Sequence, residues 1–116
     1  MNDIAPEFRI TISGQITPND VKELAKDGVK SIVNNRPDGE EAGQPTSDEI
    51  QKACSDCGIT YAHIPFSGGM MDISHVQAFA DFFNATQRPL HIFCRTGNRS
   101  TMILTAAREH DLLDEE

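Results

Sequence analysis

Residues 91–100 read HIFCRTGNRS. The apolar run Leu90 to Phe93 ends at Cys94, Gly97 follows, and a helical pattern begins at Arg99. A strand that turns abruptly into a helix is the unit from which α/β domains are built. Such a turn also aims backbone N–H groups and the helix N-terminus at whatever stands at the strand's end. Here that position is held by a cysteine.

Outward from this junction the chain keeps alternating. Phe8 to Ile12 alternates apolar and polar residues and reads as a strand. Thr17 is placed to cap a helix with Pro18 at its first position, Val21, Leu24 and Ala25 as its apolar stripe, and Gly28 as its stop. Val29 to Val33 reads as a second strand. Thr46-Ser47-Asp48-Glu49 forms a capping box before Ile50, Ala53, Cys54 and Cys57, and Gly58 closes that helix. Ile59 to Ile64 is a third strand. Ser74 with Gln77 repeats the capping pattern ahead of Val76, Phe79, Phe82 and Phe83. A last helix is expected over Arg99 to Leu113, with Met102, Ile103, Ala106 and Leu113 among its apolar positions. Four strand–helix alternations in 116 residues predict one α/β domain over residues 1–116, with a mostly parallel central sheet flanked by helices. Sites in such sheets lie beyond the carboxyl ends of the strands. That places Asn34 to Glu41, Pro65 to Asp72 and Cys94 to Arg99 around one crevice.

Composition narrows the function. The formal net charge is -8, which argues against nucleic-acid and anionic-membrane partners. No apolar run is long enough to span a membrane, and the N-terminal residues do not read as a secretory signal. Three cysteines without a signal predict free thiols in a reducing, cytoplasmic setting. No spacing of His, Asp, Glu or Cys suggests a metal site, and no cofactor is expected. Cys54-Ser55-Asp56-Cys57 is a CxxC, but two ligands make no structural zinc site. The pair falls near a predicted helix end, where the dipole opposes a thiolate, so core packing is the better reading.

The cysteine loop is the candidate site. Arg95 and Arg99 supply positive charge beside Cys94, and Gly97 lets successive N–H groups of Thr96, Gly97 and Asn98 converge into an anion nest. Ser100 can donate to the thiolate or cap the helix. Such a setting lowers a thiol pKa from its free value of ~8.5 and suits a covalent nucleophile. Arg36 and Asp38 follow a strand end and are expected at the rim of the same crevice.

CRTGNRS resembles the active-site loop of rhodanese-type sulfurtransferases, with four residues between cysteine and arginine. It also resembles the phosphate-binding loop of cysteine-dependent protein tyrosine phosphatases, which keeps five. Over nearly the whole chain, IVNNRPDGEE, GITYAHIPFSGG and FCRTGNRS resemble the beta-lactamase-hydrolase-like, phosphatase-like domain family. That resemblance implies a fold like the dual-specificity phosphatases. It implies phosphatase-like activity, in a family whose relatives are associated with sulfide oxidation and persulfide chemistry. It also implies a short further helical segment beyond Asp114-Glu115-Glu116, so C-terminal packing is expected to be shortened.

Two chemistries share Cys94. In sulfur transfer the thiolate becomes a persulfide, and a thiol acceptor such as glutathione removes the sulfur. In phosphoester hydrolysis it becomes a phosphocysteine, Arg99 grips the phosphoryl oxygens, and an acid protonates the leaving oxygen. Asp72 is the one carboxylate in the loop after the third strand, though its place just before Ser74 equally suits support of the next helix start, and Asp38, Glu40 and Glu41 are other candidates. The short loop and the sparse choice of acid put sulfur transfer from a small sulfane sulfur donor first. Hydrolysis of a phosphoester is the alternative, and a non-catalytic anion-binding module comes third.

Overall fold

The computed structural model describes residues 9–115. The elements run β1 (Ile10–Ser13), α1 (Pro18–Lys26), β2 (Ser31–Asn34), α2 (Ser47–Cys57), β3 (Thr60–His63), α3 (Ile73–Ala85), β4 (Leu90–Phe93) and α4 (Asn98–Glu109). The four strands form one sheet in the order β1-β4-β2-β3, every pair parallel. Phe8, expected at the start of the first strand, lies outside the described residues.

The strand order follows from a handedness rule. Crossovers between parallel strands are right-handed, so helices lie on opposite faces when the chain moves across the sheet in opposite directions. From β1 through β2 to β3 the chain moves one way, and α1 and α2 cover one face. There Val21, Ile50, Ala53 and Cys54 pack with Ile32 and Phe93. From β3 the chain returns to insert β4 between β1 and β2, and α3 and α4 cover the other face. Val76, Phe79, Phe83, Ile103, Leu104 and Ala107 pack there with Val33, Leu90 and Ile92. Leu90, Ile92, Phe93, Ile32 and Val33 are fully buried. A strand covered on both faces is buried at every position, which is why LHIF is apolar but for His91, whose ring finds hydrogen-bond partners on β1. Because α4 leaves β4 on the opposite face from the helices that follow its neighbours β1 and β2, the carboxyl end of β4 opens at the switch point of the sheet.

Thr17 and Asp20 form the capping box of α1, and Thr46 with Glu49 that of α2, each with reciprocal hydrogen bonds of 2.9 and 3.1 Å. Two expectations are corrected. α3 is capped by Asp72 with His75, not by Ser74 with Gln77. Asp72 keeps extended backbone angles, its carboxylate accepts the Ser74 N–H at 2.9 Å, and the His75 ring accepts the Asp72 N–H. α4 ends at Glu109, short of Leu113. Asp111 adopts φ 57, turning the chain so that the Leu112 N–H reaches back to the Ala107 carbonyl and Leu112 and Leu113 pack on the core from outside the helix. Met102, one of the apolar positions of α4, is 38% exposed.

His91, on β4, is an ionisable side chain buried within the sheet. Its ring stands 2.6 Å from Thr11 Oγ1 and 2.8 Å from Ser13 Oγ. Burial pushes its pKa down from 6.5 to about 4, against a weaker pull from Asp20. Once unfolded the ring regains its ordinary pKa, so the unfolded chain binds the proton more readily and stability falls as pH drops below 6.5. Urea unfolding is expected to lose about 2 kcal/mol between pH 6.5 and 5 through this group, and His91→Asn to remove most of that loss. An unchanged slope in the variant would contradict the assignment.

Candidate active site

Cys94 is the first residue past β4, and the exit of β1 holds its loop in place. The Cys94 N–H donates to the Ser13 carbonyl at 3.4 Å, and the Gln15 N–H donates to the Arg95 carbonyl at 3.2 Å. Gly14 permits this contact, since a Cβ there would stand 2.8 Å from the Arg95 oxygen. At Gly97 φ is 95, a left-handed turn that suits glycine, and its N–H donates to Cys94 Sγ at 3.0 Å.

The sulfur is fully buried, yet its pKa is shifted downward. Burial alone would push its pKa up. Hydrogen bonds from the Ser100 and Thr96 N–H groups, the Ser100 hydroxyl and the Gly97 N–H outweigh that effect, and the net shift is downward. Ser100 has one hydroxyl proton and two acceptors, Cys94 Sγ and Asn35 Oδ1, the latter at 2.9 Å. A thiolate, being charged, is the stronger of the two.

Arg99, on the first turn of α4, is buried and turned toward the site. Its Nη1 donates to Glu40 Oε2 at 2.8 Å and to the Phe66 carbonyl at 3.0 Å, and its Nη2 donates to Glu40 Oε1 at 2.8 Å. A further hydrogen bond to Cys94 helps hold its pKa up. Glu40 is shared. Its Oε1 also accepts Arg36 Nε at 2.9 Å, and the two guanidinium groups, Arg99 foremost, hold its carboxyl down at about 2.

The structure brings Cys94, Thr96, Gly97, Arg99 and Ser100 together. Other residues expected in the site have different work. Arg36, expected at the rim, is 2% exposed. Its Nη1 donates to Gln15 Oε1 at 3.0 Å and its Nη2 to Glu41 Oε1 at 2.9 Å, so it orients the glutamates. Asp38 accepts the Ser47 N–H at 2.8 Å and secures the start of α2. The Arg95 side chain is exposed and turned toward Glu41, at 3.8 Å. Asn98 is exposed on the first turn of α4. Asp72, expected as general acid, caps α3. Hydrogen bonds from the Ser74 hydroxyl and N–H, then the nearby His75, keep its carboxyl below the ordinary range. It is ionised at neutral pH and poorly suited to give up a proton. Glu40 and Glu41 are held as carboxylates by Arg36 and its neighbours and fit the same description. Cys54 is buried in the α1–α2 core with its pKa pushed up to about 12 by burial and by Cys57, the opposite of Cys94.

Asn35 and Gln15 were not legible as site residues. Asn35 donates to the Ile64 carbonyl at 3.0 Å, receives the Ser100 hydroxyl, and gives its N–H to the Phe93 carbonyl at 2.8 Å. It joins the exits of β2, β3 and β4. In sequence an asparagine after a strand reads as a turn former, and no local signal marks a partner 65 residues away.

Comparison with known proteins agrees with this geometry. Residues 3–109 match the family model described as beta-lactamase hydrolase-like protein, phosphatase-like domain. A beta-lactamase hydrolase-like protein of Agrobacterium fabrum is 37% identical over 92 residues, 79% of this chain and 21% of that protein. One from Xylella fastidiosa is 35% identical over 95 residues, 82% of this chain and 22% of that protein. The chain thus spans about a fifth of the length of these curated relatives. Among solved structures, a candidate phosphatase from Neisseria meningitidis superposes with a TM-score of 0.81 at 30% identity, covering 89% of this chain and 73% of that one. The catalytic core of the S. cerevisiae PP-IP phosphatase shares the fold at a TM-score of 0.60 and 19% identity, over 86% of this chain and 69% of that one.

Ultraviolet thiolate absorbance, taken as the difference between wild type and Cys94→Ser, is expected to titrate with a midpoint below the ~8.5 of a free thiol. Ser100→Ala removes a donor and moves that midpoint upward. A wild-type midpoint at or above the free value would show the cradle does not act on the sulfur.

Proposed function

The chain belongs to the beta-lactamase hydrolase-like protein, phosphatase-like domain family, and from that membership we propose that it is a cysteine-dependent phosphatase working through a phosphocysteine on Cys94. The observation that carries this reading is the sulfur cradle. Three backbone N–H groups and a hydroxyl converge on Cys94, and the Arg99 guanidinium is held beside it by Glu40 and the Phe66 carbonyl. Groups that stabilise a thiolate there can equally receive the oxygens of a phosphoryl group. The Cys94 thiolate attacks phosphorus, the bond from phosphorus to the ester oxygen breaks, and the oxygen leaves with the electron pair. Water then attacks phosphorus, the P–S bond breaks, and phosphate and the thiolate are released.

Of the four carboxylates expected near the mouth, Asp38 is engaged with the Ser47 N–H at the start of α2. Asp72, Glu40 and Glu41 are all held in the ionised form by their hydrogen-bond partners. The first step therefore favours esters whose alcohol leaves readily as an anion, with water supplying its proton afterwards. The same observation supports sulfur transfer as a second reading, because attack of the thiolate on a sulfane sulfur needs no acid. The family and the Neisseria structure carry phosphatase in their descriptions, and this puts ester hydrolysis first.

Para-nitrophenyl phosphate and thiosulfate, offered in parallel, test the order. Phosphate release abolished in Cys94→Ser is expected. Asp72→Ala is expected to lower the unfolding midpoint while leaving kcat in place. Glu40→Gln, which frees Arg99 to swing, is expected to cut kcat/KM roughly 100-fold. A persulfide mass on Cys94 without phosphate release would reverse the order. Loss of turnover in Asp72→Ala would make that residue the acid.

A further inference from the structure

The turn that grips the cysteine loop is itself poorly supported by its strand. β1 is four residues long and lies at the edge of the sheet, bonded to β4 alone. Its exit, Ser13 to Gln15, contains a glycine and borders an open cavity of about 390 Å³, so packing does not fix it from that side. Yet this turn takes the Cys94 N–H on the Ser13 carbonyl and gives the Gln15 N–H to the Arg95 carbonyl. Something else must hold it still for those two bonds to position the loop.

His91 reaches the turn from β4. The strand register sets it beside Thr11, with Ser13 the next residue of β1 on the same face. Nδ1 stands 2.6 Å from Thr11 Oγ1, and Nε2 stands 2.8 Å from Ser13 Oγ. The direction of these bonds follows from the protons each group owns. Ser13 has one hydroxyl proton and gives it to the Gly14 carbonyl at 2.8 Å, so it must accept from the ring, at Nε2–H. Burial keeps the ring neutral at pH 7, with its pKa pushed down to about 4. A neutral ring has a single N–H, so Nδ1 accepts from the Thr11 hydroxyl. Donation thus runs from Thr11 through His91 and Ser13 and ends on the backbone of the turn, at Gly14. An apolar side chain at position 91 would fill the same space without the cost of desolvating an imidazole, and the rest of β4 is apolar. What an apolar side chain could not do is fix the Ser13 hydroxyl in one orientation.

We propose that His91 is a positioning residue for Cys94: its Nε2–H fixes the Ser13–Gln15 turn, and the fixed turn holds the cysteine loop in the curl that aims its amides at the sulfur. The inference deepens the reading of Cys94 as the nucleophile and rests on it. The ring touches neither the sulfur nor the substrate and acts only through Ser13.

The test compares His91→Gln, His91→Asn and Ser13→Ala in the full chain. A glutamine amide reaches the place of Nε2 and can donate to Ser13, whereas an asparagine amide ends near the place of Nδ1 and falls short. The first readout is the thiolate midpoint of Cys94, taken as the ultraviolet difference from the same variant carrying Cys94→Ser, and it needs no turnover. In His91→Asn and Ser13→Ala the midpoint is expected to rise by roughly half a pH unit or more toward the free value, and in His91→Gln to stay near that of the wild type. The second readout is kcat/KM on para-nitrophenyl phosphate, expected to fall roughly tenfold in the first two and to be retained in His91→Gln. A ring that only filled space would produce no such order. Ser13→Ala removes one half-buried hydroxyl outside the core, so it decides the matter even where a His91 variant fails to fold. A midpoint unmoved in Ser13→Ala, or raised as far in His91→Gln as in His91→Asn, overturns the proposal. The expected midpoints in a protein that releases no phosphate support it and count against the hydrolysis reading alone.

Discussion

Two guanidinium groups, those of Arg36 and Arg99, converge on one carboxylate. Glu40 Oε1 accepts from both, at 2.9 and 2.8 Å, and its Oε2 takes a second bond from Arg99. Without the carboxylate the two positive charges would repel, and Arg99 would lose the fork that fixes its plane. With it, a buried arginine on α4 is tied to the loop after β2, and through Arg36 and Gln15 to the exit of β1. The Phe66 carbonyl adds the exit of β3. The cradle at Cys94 is therefore held by all four strand exits, and its geometry exists before any ligand arrives. Preorganised donors of this kind need no rearrangement at the moment charge develops.

The same groups set the charge of the site. Arg36, Arg95 and Arg99 stand against Glu40 and Glu41, which leaves one positive charge to face one thiolate. The centre is nearly neutral once Cys94 ionises. That explains how a chain of net charge -8 can hold an anion at its mouth without a broad basic patch. It also separates the two thiol environments in the molecule. Cys94 and Cys54 are both fully buried, yet burial decides the outcome only for Cys54, which has no donors converging on its sulfur.

The fold was readable because it rests on local signals that repeat. The capping boxes at Thr17 and Thr46, the stops at Gly28 and Gly58 and the apolar run of β4 all act within a few residues. Errors arose where two local signals competed. Asp72 and Ser74 are both good caps, and the choice fell to the one whose backbone stays extended. At the other end of the chain, apolar residues at 112 and 113 continue the helical spacing of α4, but they pack only because the helix stops before them. The site was readable only in its contiguous part. CRTGNRS announces an anion loop by itself, whereas the roles of Arg36, Asp38 and Glu40 depend on which partner each meets across the sheet. In sequence, an arginine near a site and an arginine buried behind it look alike.

What distinguishes the chemistries open to this cradle is the supply of protons. A thiolate held by amides and a guanidinium can attack phosphorus or sulfur, and the loop geometry favours neither strongly. Glu40, Glu41 and Asp72 are held as anions, two by arginines and one by a helix start, and Asp38 is engaged with the Ser47 N–H. Raising the pKa of any of them would require removing its partner, and for Glu40 that partner is the arginine the cradle needs. The arrangement that makes the nucleophile thus excludes its own positioning carboxylate as an acid. On the proposed phosphatase reading, selectivity comes from the leaving group rather than from assisted departure.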